Sequence, residues 1–192
     1  MALAPELFHR DGRNLEISYD DFPSARGHLA ALTNEGLEVD LAAAFGHLAG
    51  RPDVLENRIG LVGFCVGGFA AFLGACRLAP AATVAFYGGG IVRPRPQLRI
   101  HPVLDEADRI KAPLLCLFGA DDKGIPPEDV EAIRRRLDEI GGGHEVVVYP
   151  GAGHAFFCDR RPAFEPNAAT DAWRRTLDWL ARHVRAELRS SR

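Results

Sequence analysis

Four short apolar runs alternate with helical segments along the chain, and this alternation constrains the fold more than any other feature of the sequence. The runs cover residues 58–64, 81–87, 113–119 and 144–149. Continuous apolar runs of this length are typical of parallel strands buried on both faces, and parallel strands are joined by helical crossovers. The sequence therefore predicts an α/β fold, with a mostly parallel sheet and helices on both of its faces.

Helical periodicity is clearest in two segments. In residues 128–140 the apolar side chains share one face, between a pair of prolines and a run of three glycines that favour a helix start and a helix end. The last helix is predicted to begin after Pro166 and to pack on the sheet through four apolar residues, Trp173, Leu177, Leu180 and Val184. Shorter helices are predicted at residues 24–32, 34–49 and 69–78.

The composition indicates one globular domain over residues 1–192, since 47% of the residues are hydrophobic and can form a sizeable core. A net charge of -3 gives no attraction for nucleic acid or an anionic membrane, so a small-molecule substrate is favoured over either. The N-terminal segment contains neither a signal-peptide core nor a membrane span, which predicts a cytoplasmic protein. The four cysteines are far apart, so reduced thiols are expected, with no zinc site or disulfide framework and no cofactor.

The segment GFCVGG, residues 63–68, follows one predicted strand and precedes a predicted helix. This pattern is typical of a nucleophile elbow, here with Cys65 in place of the more common serine. Gly63 and Gly67, two residues before and after the nucleophile, are expected to let the strand and the helix approach closely. The backbone N–H of Val66 would stabilise an oxyanion. A buried structural cysteine in a glycine-rich turn explains the motif alone equally well.

Candidates for an acid and a base follow the third and fourth apolar runs. Asp121 and Asp122 come after the third run, and His154 comes after the fourth. The carboxyl ends of parallel strands meet at one edge of the sheet, where this fold places nucleophile, acid and base in that chain order. We therefore predict a triad of Cys65, one of the two aspartates, and His154. The other aspartate would serve the turn itself.

The elbow GFCVGG, the acid loop GADDKGIP and the base loop YPGAGHAFF together resemble the dienelactone hydrolase family, also called carboxymethylenebutenolidases. The resemblance extends from residue 2 to about residue 182. The family's D-x-x-[IV]-P motif matches residues 122–126, which implies that Asp122 is the acid. It also implies an α/β-hydrolase fold and hydrolysis of an enol-lactone or similar ester through a thioester on Cys65. His154 would take the thiol proton and later activate water.

The resemblance also implies residues that contact the substrate. In the family, an arginine shortly after a D-L-Y-x-R segment helps to hold the substrate carboxylate. Residues 6–10 (ELFHR) match that segment with conservative changes. Arg10 is therefore the candidate for this role. A second family arginine, four residues after the histidine, is replaced here by Cys158. Phe86 and Tyr87, at the end of the second strand, are expected to line the pocket.

The family pattern begins with about three strands and a helix before the segment that matches the start of this chain. We therefore expect the chain to be incomplete at its N-terminus. By resemblance, the preceding loop supplies a second oxyanion donor and a glutamate near the resting thiol. The elbow strand would then form one edge of the sheet, with an apolar composition that favours aggregation.

Three other interpretations stay open. Another ester or peptide hydrolase could use the same fold, because a fold does not determine a substrate. A non-catalytic paralogue, or a catalytically impaired fragment that only binds or assembles, would carry the same motifs. A redox role for Cys65 is a further alternative, although no resolving cysteine stands next to it in sequence.

Overall fold

The computed structural model describes residues 1–18 and 21–185. Within these residues the strands are β1 (Leu61–Phe64), β2 (Thr83–Phe86), β3 (Leu114–Gly119) and β4 (Glu145–Tyr149). The α-helices of the same residues are α1 (Phe22–Ala31), α2 (Asn34–Ala49), α3 (Val66–Arg77), α4 (Pro127–Ile140) and α5 (Pro166–His183). The domain predicted over residues 1–192 also includes residues 19–20 and 186–192, which lie outside the described part of the chain.

The sheet is parallel throughout, in the order β1-β2-β3-β4, so the four predicted strands and their alternation with helices are confirmed. β1 begins three residues later than predicted, because Glu56–Arg58 form a short 3-10 turn. Parallel pairing brings all carboxyl ends to one edge, with Phe64 opposite Phe86 and Gly119 opposite Tyr149. The loops that follow the strands therefore lie side by side.

The core is centred on β2 and β3, whose residues are all buried. Complete burial of a strand requires cover on both faces of the sheet. Helix α3 packs on β1 and β2, and α2 packs on α3. Helix α4 buries the predicted face through Val130, Ile133 and Leu137, and it ends at Gly141, whose φ of +68° suits glycine.

Helix α5 presents a different face to the sheet from the predicted one. Trp173 and Leu177 are 45% and 49% exposed, so their predicted packing on the sheet is wrong. The buried positions are mostly small: Ala168, Ala169, Ala172, Thr176 and Trp179. Small residues let the helix axis approach the sheet closely, and the Thr176 hydroxyl donates a hydrogen bond to Ala172 O at 2.8 Å, which satisfies it within the core.

Strand β1 lies at the edge of the described sheet, as expected, and pairs there with β2. Its apolar side chains Val62 and Phe64 are 39% and 38% exposed. This edge carries the elbow, so the nucleophile candidate lies at the rim of the sheet rather than at its centre. Across residues 1–18 and 21–185, no helix has both the length and the apolar character needed to cross a bilayer.

Candidate active site

A continuous line of hydrogen bonds joins Asp122, His154 and Cys65 at the carboxyl edge of the sheet. His154 Nδ1 lies 2.7 Å from Asp122 Oδ2, and His154 Nε2 lies 3.2 Å from Cys65 Sγ. The Asp122 side chain is fully buried, and its other oxygen accepts the Gly124 N–H at 2.8 Å. Asp121 is exposed. The structure thus brings together the three residues predicted from the sequence and the family motif.

The elbow geometry explains two of its three glycines. Cys65 has a φ of 55° and a ψ of -118°, a strained backbone conformation for a residue other than glycine. A Cβ on Gly63 would overlap the carbonyl of Gly67, so the requirement for a small residue at 63 is confirmed. The steric requirement predicted at Gly67 is wrong, since a Cβ there would meet nothing within 4 Å. Gly68 is the constrained position instead, because its Cβ would overlap Phe86 O.

Backbone strain, which the sequence did not predict, also occurs at two other residues of the site. Tyr87, directly after β2, has a φ of 37°, and Ala155, directly after His154, has a φ of 64°. Bulky residues rarely adopt positive φ, and such strain is concentrated at functional sites. The Tyr87 N–H donates to Leu117 O at 2.7 Å, and its ring packs on the His154 ring with centroids 5.2 Å apart. Tyr87 therefore supports the imidazole from one side.

The electrostatics of the site favour a charged pair. Burial raises the pKa of the Cys65 thiol, but the hydrogen bond and charge of His154 and the backbone N–H of Val66 outweigh it, and the net pKa is lowered. Burial lowers the pKa of His154, but hydrogen bonds with Asp122 and Cys65 raise it to about 9. Both directions stabilise a thiolate beside an imidazolium at neutral pH.

Two other cysteines lack this environment. Burial in α3 raises the pKa of Cys76 to about 12, and complete burial in β3 raises the pKa of Cys116. Neither thiol is accessible in the folded protein. Thiolate reactivity is therefore expected to separate Cys65 from both.

We expect iodoacetamide to label Cys65 at roughly pH 6.5, below the ordinary thiol pKa of about 8.5, while Cys76 and Cys116 stay unlabelled. His154→Ala should raise the pKa of Cys65, because it removes the hydrogen bond and the positive charge. The labelling profile should then move to higher pH. Peptide mass mapping over a series of pH values measures both effects. Equal labelling of Cys65 and the two buried cysteines in the folded protein would contradict the assignment.

Arg10 is engaged away from the triad. Its guanidinium forms two hydrogen bonds to the Asp40 carboxylate on α2, at 2.7 and 2.8 Å, and His9 approaches the same carboxylate at 3.0 Å. These contacts fasten the N-terminal segment to α2. The role of Arg10 in holding a substrate carboxylate stays a prediction, and the observed ion pair competes with it.

The two aromatic residues predicted to line the pocket differ in position. Phe86 is fully buried, so its ring belongs to the core beneath the site rather than to a pocket surface. Tyr87 is 3% exposed and contacts His154, and its pocket role stays a prediction. Phe64, next to Cys65 in sequence, is more accessible and stacks on Phe157 with centroids 5.3 Å apart. This aromatic pair was not predicted from the sequence, although each ring is within three residues of a triad member.

Comparison with known proteins shows the family to which the chain belongs. The family model described as "Dienelactone hydrolase family" matches residues 1–184. The chain belongs to the dienelactone hydrolase family. It is 34% identical to a Synechocystis protein provisionally named carboxymethylenebutenolidase, over 91% of this chain and 72% of that protein. A Salmonella typhimurium protein with the same provisional name is 35% identical, over 95% of this chain and 67% of its own length.

A solved structure gives the same result for the fold. The crystal structure of a protein provisionally described as a dienelactone hydrolase, from Klebsiella pneumoniae, superposes with a TM-score of 0.77 at 33% identity. It covers 92% of this chain and 73% of that one. The predicted α/β-hydrolase fold is thus confirmed, and membership of the dienelactone hydrolase family makes the chain a hydrolase of ester or lactone bonds.

Proposed function

We propose that the chain hydrolyses a small lactone or carboxylic ester through a thioester on Cys65, with His154 as base and Asp122 as the acid that orients it. The observation that carries the proposal is the hydrogen-bonded line from Asp122 through His154 to Cys65, at 2.7 and 3.2 Å. Covalent catalysis requires a nucleophile and a base within hydrogen-bond reach of each other, and a third group that orients the base.

In the first half of the reaction the Cys65 thiolate attacks the carbonyl carbon of the substrate. The carbonyl oxygen becomes an oxyanion, which the N–H of Val66 at the start of α3 would stabilise. The intermediate collapses, the C–O bond to the leaving group breaks, and His154 Nε2 donates its proton to the departing oxygen. A thioester remains on Cys65. In a lactone the released hydroxyl stays part of the same molecule.

In the second half, neutral His154 takes a proton from water as that water attacks the thioester. The C–S bond breaks, the carboxylic acid leaves, and the thiolate–imidazolium pair is restored. Asp122 accepts the Nδ1–H throughout, which keeps Nε2 directed at the sulphur. Because this cycle needs a reduced thiol, we also propose that the protein acts in a reducing compartment such as the cytoplasm.

The thioester is expected to be observable. Rapid mixing with 4-nitrophenyl hexanoate should release a burst of nitrophenol close to one equivalent of enzyme if deacylation is the slower step. Intact mass spectrometry of the quenched mixture should then show a hexanoyl adduct, which peptide mapping places on Cys65. Cys65→Ala is the control and should show neither signal. Steady turnover without an adduct on Cys65, even after acid quenching, would exclude this route.

A further inference from the structure

The Arg95 side chain crosses the run of glycines that follows β2. A Cβ placed on Gly89 would overlap Arg95 Nη1, so this glycine leaves room for the guanidinium. Arg95 Nη1 donates a hydrogen bond to Gly124 O at 3.3 Å. Gly124 belongs to the acid loop and donates its N–H to Asp122. Arg95 thus connects the loop after β2 with the loop that carries the acid.

The positive charge of Arg95 also reaches the nucleophile. Burial raises the pKa of the Cys65 thiol, and the charge of Arg95 is one of the influences that lower it, alongside His154 and the Val66 N–H. Arg95 therefore lies within electrostatic range of the sulphur, and the run of glycines that it crosses packs against the elbow, where a Cβ on Gly68 would lie 3.1 Å from Gly88.

The donors of Arg95 are largely uncommitted. A guanidinium has five N–H donors, and the hydrogen bond to Gly124 O is the one polar contact that this side chain makes with the described residues. Arg93 and Arg10, by contrast, are paired with the carboxylates of Asp129 and Asp40. Across residues 1–18 and 21–185, Arg95 has no carboxylate within ion-pair distance. A half-buried, unpaired guanidinium at a reaction site is suited to bind an anion.

We propose that Arg95 is a substrate-binding residue that pairs with a carboxylate of the substrate while Cys65 attacks the ester bond. The inference rests on the proposed hydrolysis at Cys65 and adds a residue of this chain that would select esters or lactones with a carboxylate within reach of both groups. It also places carboxylate recognition on the loop after β2, rather than on Arg10, whose guanidinium is paired with Asp40.

A matched pair of esters tests the proposal. 4-Nitrophenyl hexanoate is neutral, and the 4-nitrophenyl monoester of hexanedioic acid adds only a terminal carboxylate. Arg95→Gln should lower kcat/KM for the carboxylate ester by about 10- to 100-fold, the range for loss of a hydrogen bond to a charged group. The loss should fall mainly on KM and should clearly exceed the loss on the neutral ester, which reports the effect of Arg95 on the Cys65 pKa and on the acid loop that both esters share. Arg95→Lys, which keeps the charge without the planar fork, should recover part of the loss.

The control is Arg99→Gln, which removes an exposed arginine from the same loop and should affect both esters equally or not at all. If Arg95 serves only to hold the acid loop through Gly124, Arg95→Gln will slow both esters alike, and the proposal is overturned.

A binding measurement separates this inference from the proposed function. Calorimetry should show hexanedioate binding to Cys65→Ala and about 10- to 100-fold weaker binding to Cys65→Ala/Arg95→Gln, with no turnover involved. Equal affinities overturn the role of Arg95 whatever the kinetics show. Selective binding by a wild-type protein that forms no thioester would overturn the hydrolysis proposal while retaining the anion site.

Discussion

Replacing Cys65 with alanine is expected to lower kcat for aryl ester hydrolysis by roughly 10⁶-fold, the size of effect seen when a covalent nucleophile is deleted from a hydrolase triad. The Sγ atom is the only part of Cys65 that can bond to the acyl carbon, and its pKa is lowered by His154 and the Val66 N–H against the effect of burial. Alanine retains the elbow backbone and removes only the sulphur.

Cys76→Ala is the matched control, because Cys76 lies in the same elbow helix but its thiol is buried and held protonated by a pKa near 12. It should retain most of the activity, measured well below the melting temperature of each variant. A Cys65→Ala protein that is folded by circular dichroism and hydrolyses the ester at a rate near the wild-type rate would refute covalent catalysis at this residue. Stopped-flow absorbance and a steady-state assay cover the necessary range.

The triad could be predicted because each of its residues lies in a short recognisable motif and the motifs follow successive strands in the expected chain order. Cys65 lies in a glycine-rich turn between an apolar strand and a helix, and His154 and the aspartates follow later strands. Parallel pairing then obliges these loops to meet. The choice of Asp122 over Asp121 needed the family motif, since both occupy one turn and only the fold decides which carboxyl is buried.

Other features depend on packing that no local pattern encodes. The sheet-facing side of α5 was mispredicted because hydrophobicity favours Trp173 and Leu177, whereas close approach to the sheet selects Ala172 and Thr176. Similarly, the constraint at Gly68 comes from the end of the neighbouring strand β2, a contact invisible in the elbow sequence. Arg95 reaches the site across two loops, which its position in a proline- and arginine-rich segment does not reveal.

The hydrogen bond between Asp122 and His154 should be the second most costly interaction to lose. Asp122→Asn is expected to lower kcat by about 10⁴-fold, as the same change does in other triads. An asparagine can hold the imidazole in the tautomer whose Nε2 already carries a proton, and that tautomer cannot accept one from the thiol. The substitution also removes the negative charge that supports the imidazolium.

The pH dependence gives this change a signature that a purely structural defect would lack. Burial alone would lower the pKa of His154, and Asp122 is the first of the groups that raise it to about 9. Without that carboxylate the imidazolium should lose its proton at lower pH, and iodoacetamide should then label Cys65 more slowly at roughly pH 6.5 than in the wild type. Asp121→Asn is the control, since Asp121 is exposed on the same turn and should leave both rate and labelling almost unchanged. If Asp121→Asn is instead the damaging change, the acid belongs one residue earlier and the buried contact to His154 serves only the fold.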